Sequence, residues 1–373
     1  MSQRIVHLVA AARPNFMKVA PLWHALKAAS DFAPVLIHSG QHYDVNMSDA
    51  FFRDLKLPAP DHHLGVGSGS HAEQTGGVMI AYERVADAQR PDWLVVVGDV
   101  NTTAACAMVA AKLQIPLIHL EAGLRSRDKA MPEEVNRLVT DCLSDVLWTP
   151  SPDADANLIA EGIDPRRISR VGNIMIDSFE LVRPQIEAAG CAERFGLERG
   201  RYGVVTLHRP SNVDHPAEFA RLVASLVDSQ QLLPLIFPVH PRTRARLTET
   251  RLDMPLTAAG VRLVEPLSYV EFMSLVTGCA AAITDSGGVQ EETTYLGIPC
   301  LTLRRNTERP ITLHEGTNRL VCAGTLPDAL RHALSAPGAA RHCPQYWDGR
   351  TAARCVADLR RRSIETAAAI AAE

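Results

Sequence analysis

The 373-residue chain lacks paired cysteines. Its eight, Cys106, Cys142, Cys191, Cys279, Cys300, Cys322, Cys343 and Cys355, form no CxxC, and several sit inside apolar runs as small hydrophobes do. That argues against a disulfide framework or a cysteine-based zinc site and for a reduced, cytosolic protein. Charge of one sign is also missing. Lys and Arg number 38 against 42 Asp and Glu, a net charge of −4, so no global field draws the chain to nucleic acid or to an anionic membrane. An anionic ligand must be held by a local cluster. Apolar runs such as Leu94–Val97 and Pro116–Leu120 are strand-sized, whereas a membrane span needs about 20 apolar residues. Met1-Ser2-Gln3-Arg4 leads straight into a strand-like run, without the basic and apolar regions of a signal peptide. There is no GxGxxG after the first strand, no GxxxxGK[ST] and no HExxH, so neither a redox cofactor nor a metal is expected.

What is present is a globular composition, 46% hydrophobic and 21% charged, in a chain long enough for two domains. Short apolar strands alternate with amphipathic helices. Ile5–Ala11, Ala33–Ser39, Leu94–Gly98 and Pro116–Glu121 read as buried strands, with helices over Met17–Ala29 and Thr102–Lys112. Asp61–Ser70 reads as a loop, its His62-His63 pair facing solvent. The rhythm restarts after Arg166 with Ile168–Val171, then Tyr202–Leu207, Leu235–Val239, Arg262–Val264, Ala281–Thr284 and Pro299–Leu303. Continuous apolar strands flanked by helices predict parallel sheets covered on both faces. The expected architecture is α/β, with two Rossmann-like doubly wound domains over residues 1–172 and 173–355. A terminal helix over 356–373 is expected to pack back on the first domain. Ligands of such sheets bind beyond the carboxyl ends of the strands, so the cleft between the domains is the expected site.

The unusual polar residues do follow strands. Arg13-Pro14-Asn15-Phe16-Met17-Lys18 comes after the first and puts two cations near a helix N-terminus, suited to a diphosphate. Asp99 follows Leu94–Gly98; alone it would be an ordinary helix cap. Glu121 ends Pro116–Glu121 and is costly there unless paired, with Arg125 or Arg137 as partner. Glu133 and Glu134 open the next helix, where acids complement the dipole. Three carboxylate sites on one strand-end edge supply the acids and bases that proton transfer needs. In the second half His208 and His240 follow strands, and Asp285-Ser286-Gly287-Gly288-Val289-Gln290-Glu291-Glu292 offers backbone amides to a phosphate and an acid one turn into the helix. Arg304, Arg305 and Arg309 add a second cationic cluster.

Taken in order, these strings resemble the non-hydrolysing UDP-N-acetylglucosamine 2-epimerase family. The resemblance runs from Ala12 to about Leu320 and includes Ser39-Gly40-Gln41-His42, Glu121-Ala122-Gly123-Leu124-Arg125, Pro132-Glu133-Glu134, Asn136-Arg137, Val171-Gly172-Asn173, Pro238-Val239-His240-Pro241 and Thr307-Glu308-Arg309-Pro310. It implies a GT-B-like pair of domains in a cytosolic homodimer that inverts C2 of UDP-GlcNAc to give UDP-ManNAc, used in polysaccharide biosynthesis. It also implies elimination of UDP to 2-acetamidoglucal and re-addition, with no cofactor. By the same resemblance Asp99, Glu121 and Glu133 are the catalytic carboxylates, a set in which acid and base are not apportioned. Arg13, Lys18 and His208 hold the diphosphate, Ser286, Gly287 and Gly288 cradle phosphate, Glu292 holds the ribose, and Arg137, His240, Phe272 and Arg309 complete the nucleotide-sugar site. Two departures stand out. Asn15 stands where many relatives carry an acid, and the continuation after Gln41-His42 together with Gly76-Gly77 argues against the second, activating UDP-GlcNAc of many bacterial members. A hydrolysing 2-epimerase and a GT-B glycosyltransferase are the alternatives.

Overall fold

A computed structural model describes residues 3–11, 13–40, 54–335 and 343–372, the side chains of 13, 14 and 366–372 excepted. The chain divides into two compact units, one of Met1–Leu181 with Gln345–Glu373 and one of Val182–Pro344.

The first unit is built on a parallel sheet whose strands are β1 (Arg4–Ala10), β2 (Phe32–His38), β3 (His62–His63), β4 (Trp93–Val97), β5 (Leu117–Leu120), β6 (Val146–Thr149) and β7 (Ile168–Arg170). Their order is β3-β2-β1-β4-β5-β6-β7. β4, β5 and β6 are buried along their whole length, because helices cover both faces. The helices numbered here are α1 (Arg13–Ala28), α2 (His71–Ala88), α3 (Asn101–Leu113), α4 (Pro132–Leu143), α5 (Pro152–Ala160) and α6 (Ile174–Ala188). Some strand readings need correction, and the last strand of the second unit, Asn318–Val321, was not foreseen. β5 stops at Leu120, one residue short, because Glu121 takes φ +74°. His62-His63 is not a loop but a two-residue edge strand paired with Ile37 and His38, too short to carry a periodic signal. β6, with its buried Trp148, was not foreseen.

The second unit repeats the plan. Strands β8 (Gly203–Thr206), β9 (Leu235–Pro238), β10 (Arg262–Val264), β11 (Ala281–Thr284), β12 (Cys300–Leu303) and β13 (Asn318–Val321) lie in the order β10-β9-β8-β11-β12-β13, all parallel. Its longer helices are α7 (Pro216–Gln230), α8 (Tyr269–Gly278), α9 (Gly287–Leu296) and α10 (Leu326–Ser335). The core sits between α7, α10 and the sheet, with Phe219, Leu226, Phe237 and Ile283 at its centre. In both sheets the chain starts at a middle strand, runs outward to one edge and then crosses over to build the other. The switch points lie between β1 and β4 and between β8 and β11, where such folds bind ligands beyond the carboxyl ends.

The last helix, α11 (Thr351–Ala372), belongs to the first unit, whose limits differ from the expected boundaries at 172 and 355. Its attachment explains the difference. Trp347 donates to the Pro150 carbonyl at 3.1 Å, so the returning chain joins the first unit before the helix begins. Trp148 donates to Asp358 at 2.9 Å and Trp93 to Ser363 at 3.1 Å. The buried Asp177 of α6 accepts from the first amides of α11, Thr351 at 3.0 Å and Ala352 at 2.8 Å. A carboxylate there satisfies donors that a helix cannot satisfy itself. Asp177→Ala should therefore cost about 0.5–2 kcal/mol, the usual range for losing an N-terminal cap. Urea unfolding of the variant reads this directly; an unchanged midpoint would mean that Asp177 does not fasten the helix.

Candidate active site

At the switch point of the first sheet the loop after β1 leads into α1, and Gly98-Asp99 follows β4. α1 brings Asn15 and Lys18 to this edge. Asn15 Nδ2 donates to the Val97 carbonyl at 3.0 Å, the last of β4. An acid in that place would set a carboxylate against a carbonyl, so the neutral amide is the residue that fits. Lys18 forms a buried ion pair with Glu121. Of the two expected partners of Glu121, Arg125 and Arg137, the first is ruled out, because Arg125 is taken by Asp141 at 2.7 Å and by Glu161 at 2.6 Å. Glu121 has a positive φ of 74°, a strained backbone for a residue with a side chain. Its own amide and that of Ala122 both donate to the Trp148 carbonyl, at 3.0 and 3.1 Å, and hold that conformation. Gly123 follows because a Cβ there would lie 2.5 Å from the Ala154 carbonyl oxygen.

Asp99 does not cap α3. That helix starts at Asn101 behind Val100, with no side-chain cap. Instead the half-exposed Asp99 carboxylate pairs with Arg137 at 2.6 Å, and its carbonyl accepts from Asn136 at 2.9 Å. Arg137 also holds Glu134 at 2.6 Å. Glu133 is exposed on the first turn of α4, whereas Glu134 is buried and accepts from the amides of Ser126 (2.9 Å) and Arg127 (2.8 Å). Burial alone would raise the Glu134 carboxyl, but these bonds and Arg137 outweigh it and hold the group below its ordinary value. The first unit thus gathers Lys18, Glu121, Asp99 and Arg137 along the ends of β4 and β5. The position of a Cβ on Gly98 lies 3.4 Å from Lys18 Nζ and 3.6 Å from Glu121 Oε2. The Arg13 side chain and Gln41-His42 lie outside the described residues.

At the other switch point His208 follows β8 and Asp285 follows β11. His208 Nδ1 lies 2.9 Å from Asp285 Oδ1, which leaves Nε2 for a ligand. Asp285 is fully buried and accepts from the amides of His208 (3.0 Å) and Arg209 (2.9 Å) and from Asn212 (3.0 Å). Burial would push this carboxyl up, but the bonds from His208, Arg209 and Asn212 outweigh it and keep it below the usual range. Ser286 stands at the N-cap of α9 with no side-chain cap bond, and Gly287 and Gly288 are the first two residues of the helix. A Cβ on Gly287 would lie 2.8 Å from Arg309 Nη1, so a larger residue there would push the guanidinium from its place.

The expected cationic cluster is largely neutralised. Arg309 pairs with Glu291 at 2.9 Å and Glu308 at 2.8 Å, and Arg304 with Glu308 at 2.7 Å. Burial opposes ionisation of Glu308, yet Arg309 and Arg304 hold it far below the ordinary carboxylate range. Exposed His240 accepts from the Arg242 amide at 3.3 Å and so caps the helix Pro241–Thr250, with its ring 5.9 Å from that of His208. Phe272 is half-buried on α8, one turn beyond Tyr269, whose hydroxyl donates to Glu292 at 2.7 Å. Sequence reasoning missed Tyr269, His119 and Asp141 and gave Glu134 only a dipole role; for Asp141 the one signal was an acid one turn beyond Arg137 on α4. Among the described residues no three His, Cys, Asp or Glu gather as a metal site, and no helix is long and apolar enough to cross a membrane.

Burial is the main force on Glu292. It raises the carboxyl from 4.5 to about 8, with Glu291 adding to the shift and the Tyr269 hydrogen bond opposing it. The native state therefore binds this proton more tightly than the unfolded chain does, and the associated stability is complete below about 4.5 and lost as pH rises through about 8. Glu292→Gln should behave like wild type in acid and become progressively more stable than it between those values. Thermal melts of both proteins across that window test this, and parallel curves would exclude a neutral Glu292.

The geometry meets the known proteins at this point. The family model described as UDP-N-acetylglucosamine 2-epimerase matches residues 24–360. The chain is 40% identical over 327 residues to the UDP-N-acetylglucosamine 2-epimerase of Methanocaldococcus jannaschii, covering 84% of this chain and 87% of that one. It is 37% identical over 316 residues to the UDP-2,3-diacetamido-2,3-dideoxy-D-glucuronate 2-epimerase of Pseudomonas aeruginosa, covering 84% and 86%. Among solved structures, the M. jannaschii enzyme in complex with UDP-GlcNAc and UDP superposes with a TM-score of 0.85 at 37% identity, over 95% of this chain and 99% of that one. The Neisseria meningitidis enzyme bound to UDP-GlcNAc gives 0.85 at 25% identity, over 96% and 100%. The chain belongs to the UDP-N-acetylglucosamine 2-epimerase family.

Proposed function

We propose that the chain is a non-hydrolysing 2-epimerase that inverts C2 of UDP-GlcNAc or of a closely related UDP-2-acetamido sugar. The observation that carries the reading is the pair of ion-paired carboxylates, Asp99 with Arg137 and Glu121 with Lys18, at the strand ends of a chain of this family. The C2 hydrogen is not acidic, so direct deprotonation is closed. In the proposed course the C1–O bond to UDP breaks as C2 loses its proton, leaving 2-acetamidoglucal. UDP then re-adds to C1 while a proton enters C2 from the opposite face. Atoms balance without redox chemistry, and two proton carriers are needed, one for each face. Asp99, Glu121 and Glu133 are the proposed carriers.

Arg13, Lys18 and His208 are the proposed hold on the diphosphate, which must stay bound between the two steps. The amides of Gly287 and Gly288 open a ten-residue helix and suit phosphate oxygens, and Ser286, whose own amide donates to Thr284 Oγ1 at 2.9 Å, would offer its hydroxyl. A neutral Glu292 both donates and accepts a hydrogen bond, as a ribose diol requires. Arg137, His240, Phe272 and Arg309 complete the proposed nucleotide-sugar site, and the homodimer and the cytosolic setting belong to the same proposal. The P. aeruginosa relative, named for a diacetamido glucuronate, favours a second reading of the substrate, with added substituents at C3 or C6.

Two measurements decide. Incubation with UDP-GlcNAc in deuterium oxide should place deuterium at C2 of both sugars. Equilibration with unlabelled C2 would reject elimination, and steady release of UDP with free ManNAc would mark the hydrolysing type instead. Separately, Asp99→Asn, Glu121→Gln and Glu133→Gln should each lose about 10²–10⁴-fold in turnover while still binding UDP by calorimetry. A variant with full activity removes its residue from the mechanism.

A further inference from the structure

His119 lies in β5, two residues before Glu121, and is completely buried. Its Nε2 is 2.8 Å from the Gly98 carbonyl oxygen and its Nδ1 is 2.6 Å from Asp141 Oδ1. Both partners accept only. A carbonyl carries no hydrogen. Asp141 is held ionised by the Arg125 guanidinium, 2.7 Å from its Oδ2, and it also accepts from the Gly123 amide at 3.1 Å. A ring between two acceptors satisfies both only with a hydrogen on each nitrogen. A neutral tautomer would set a lone pair against the carbonyl or the carboxylate with no solvent to relieve it.

The Gly98 carbonyl is the last group before Asp99, and the Gly123 amide comes two residues after Glu121. One ring and one carboxylate therefore tie together the two turns that carry Asp99 and Glu121. We propose that His119 is a positioning residue for epimerisation, a doubly protonated imidazole balanced by Asp141 that fixes the Gly98 carbonyl and, through it, the aim of Asp99. This rests on the epimerase reading above; His119 itself touches no reacting atom.

The two ring nitrogens separate the proposal from a simple packing role. The amide of His119→Gln reaches the place of Nε2 and keeps the bond to Gly98, whereas that of His119→Asn reaches the place of Nδ1 and keeps only the bond to Asp141. Both lose the charge. The Asn variant should lose about 10–100-fold in kcat with KM within about twofold, and the Gln variant should recover to within about threefold of wild type. Equal losses that follow the melting temperatures, or a raised KM at unchanged kcat, would overturn the proposal. Two readings need no turnover. In histidine-labelled protein, the ¹⁵N shifts assigned to His119 by their absence from the Gln variant should show both nitrogens protonated, and one bare nitrogen refutes the ring state. Amide exchange at Asp99–Asn101 should accelerate in the Asn variant and not in the Gln variant; equal acceleration refutes the positioning. If wild type turns over no UDP-2-acetamido sugar, the epimerase reading fails while these two readings still judge His119. Should the Asn variant not fold, Asp141→Asn replaces it, with a singly protonated ring and lowered kcat expected and an unchanged ring or kcat counting against the proposal.

Discussion

Each strand-end edge of this protein depends on buried carboxylates that accept hydrogen bonds from backbone amides of the turns. Glu134 holds Ser126 and Arg127, Asp141 holds Gly123, and Asp285 holds His208 and Arg209. A parallel sheet makes this arrangement necessary. Its strands end in turns whose amides have left the ladder and are buried beneath the next helix, so they need partners from elsewhere. A carboxylate serves two or three at once, but only if its own charge is balanced. Arg137 beside Glu134 and Arg125 beside Asp141 supply the balance. Removing one member of such a buried pair is far more damaging than replacing both, because an uncompensated charge stays behind, at a cost of about 3–5 kcal/mol.

The two units solve the same problem with different chemistry. In the first, the groups at the strand ends are acids, the half-exposed Asp99 and the buried Glu121, each tied to a cation. In the second, the buried acids Asp285 and Glu308 sit behind groups of opposite character, His208 and the arginines Arg209, Arg304 and Arg309. Two sheets of like strand order therefore carry acids tied to single cations at the end of one and a histidine with arginines at the end of the other.

Much of this was legible in the residues. Continuous apolar strands such as Leu94–Val97 and Ala281–Thr284 announce a parallel sheet, and the strand-end positions of Asp99, Glu121, His208 and Ser286 follow from the topology once the strands are placed. What escaped was decided by contacts distant in sequence. That Lys18 rather than Arg125 meets Glu121 depends on where α1 crosses the edge, 103 residues away along the chain. His119 reads as one polar residue in an apolar strand, and only its two acceptors reveal its state. His62-His63 pairs with β2 without any pattern that a window of residues could detect. The arginines after Leu303 read as free positive charge although Glu308 stands next to Arg309 and one turn from Arg304; only the share that Glu291 of α9 absorbs is distant in sequence.

The backbone of Glu121 carries a lasting implication for how this chain changes over generations. A left-handed conformation favours glycine or asparagine, and either would relieve roughly 1 kcal/mol of backbone strain at this position, but it would strand the buried Lys18 ammonium at a cost of about 3–5 kcal/mol unless Lys18 changed with it. Random drift, judged by folding alone, would thus erode the Lys18–Glu121 pair as a unit rather than the acid by itself. Descendants that retain it do so against that gradient, and comparing how readily position 121 is lost in lineages with and without a need for the reaction would separate selection for chemistry from selection for the fold.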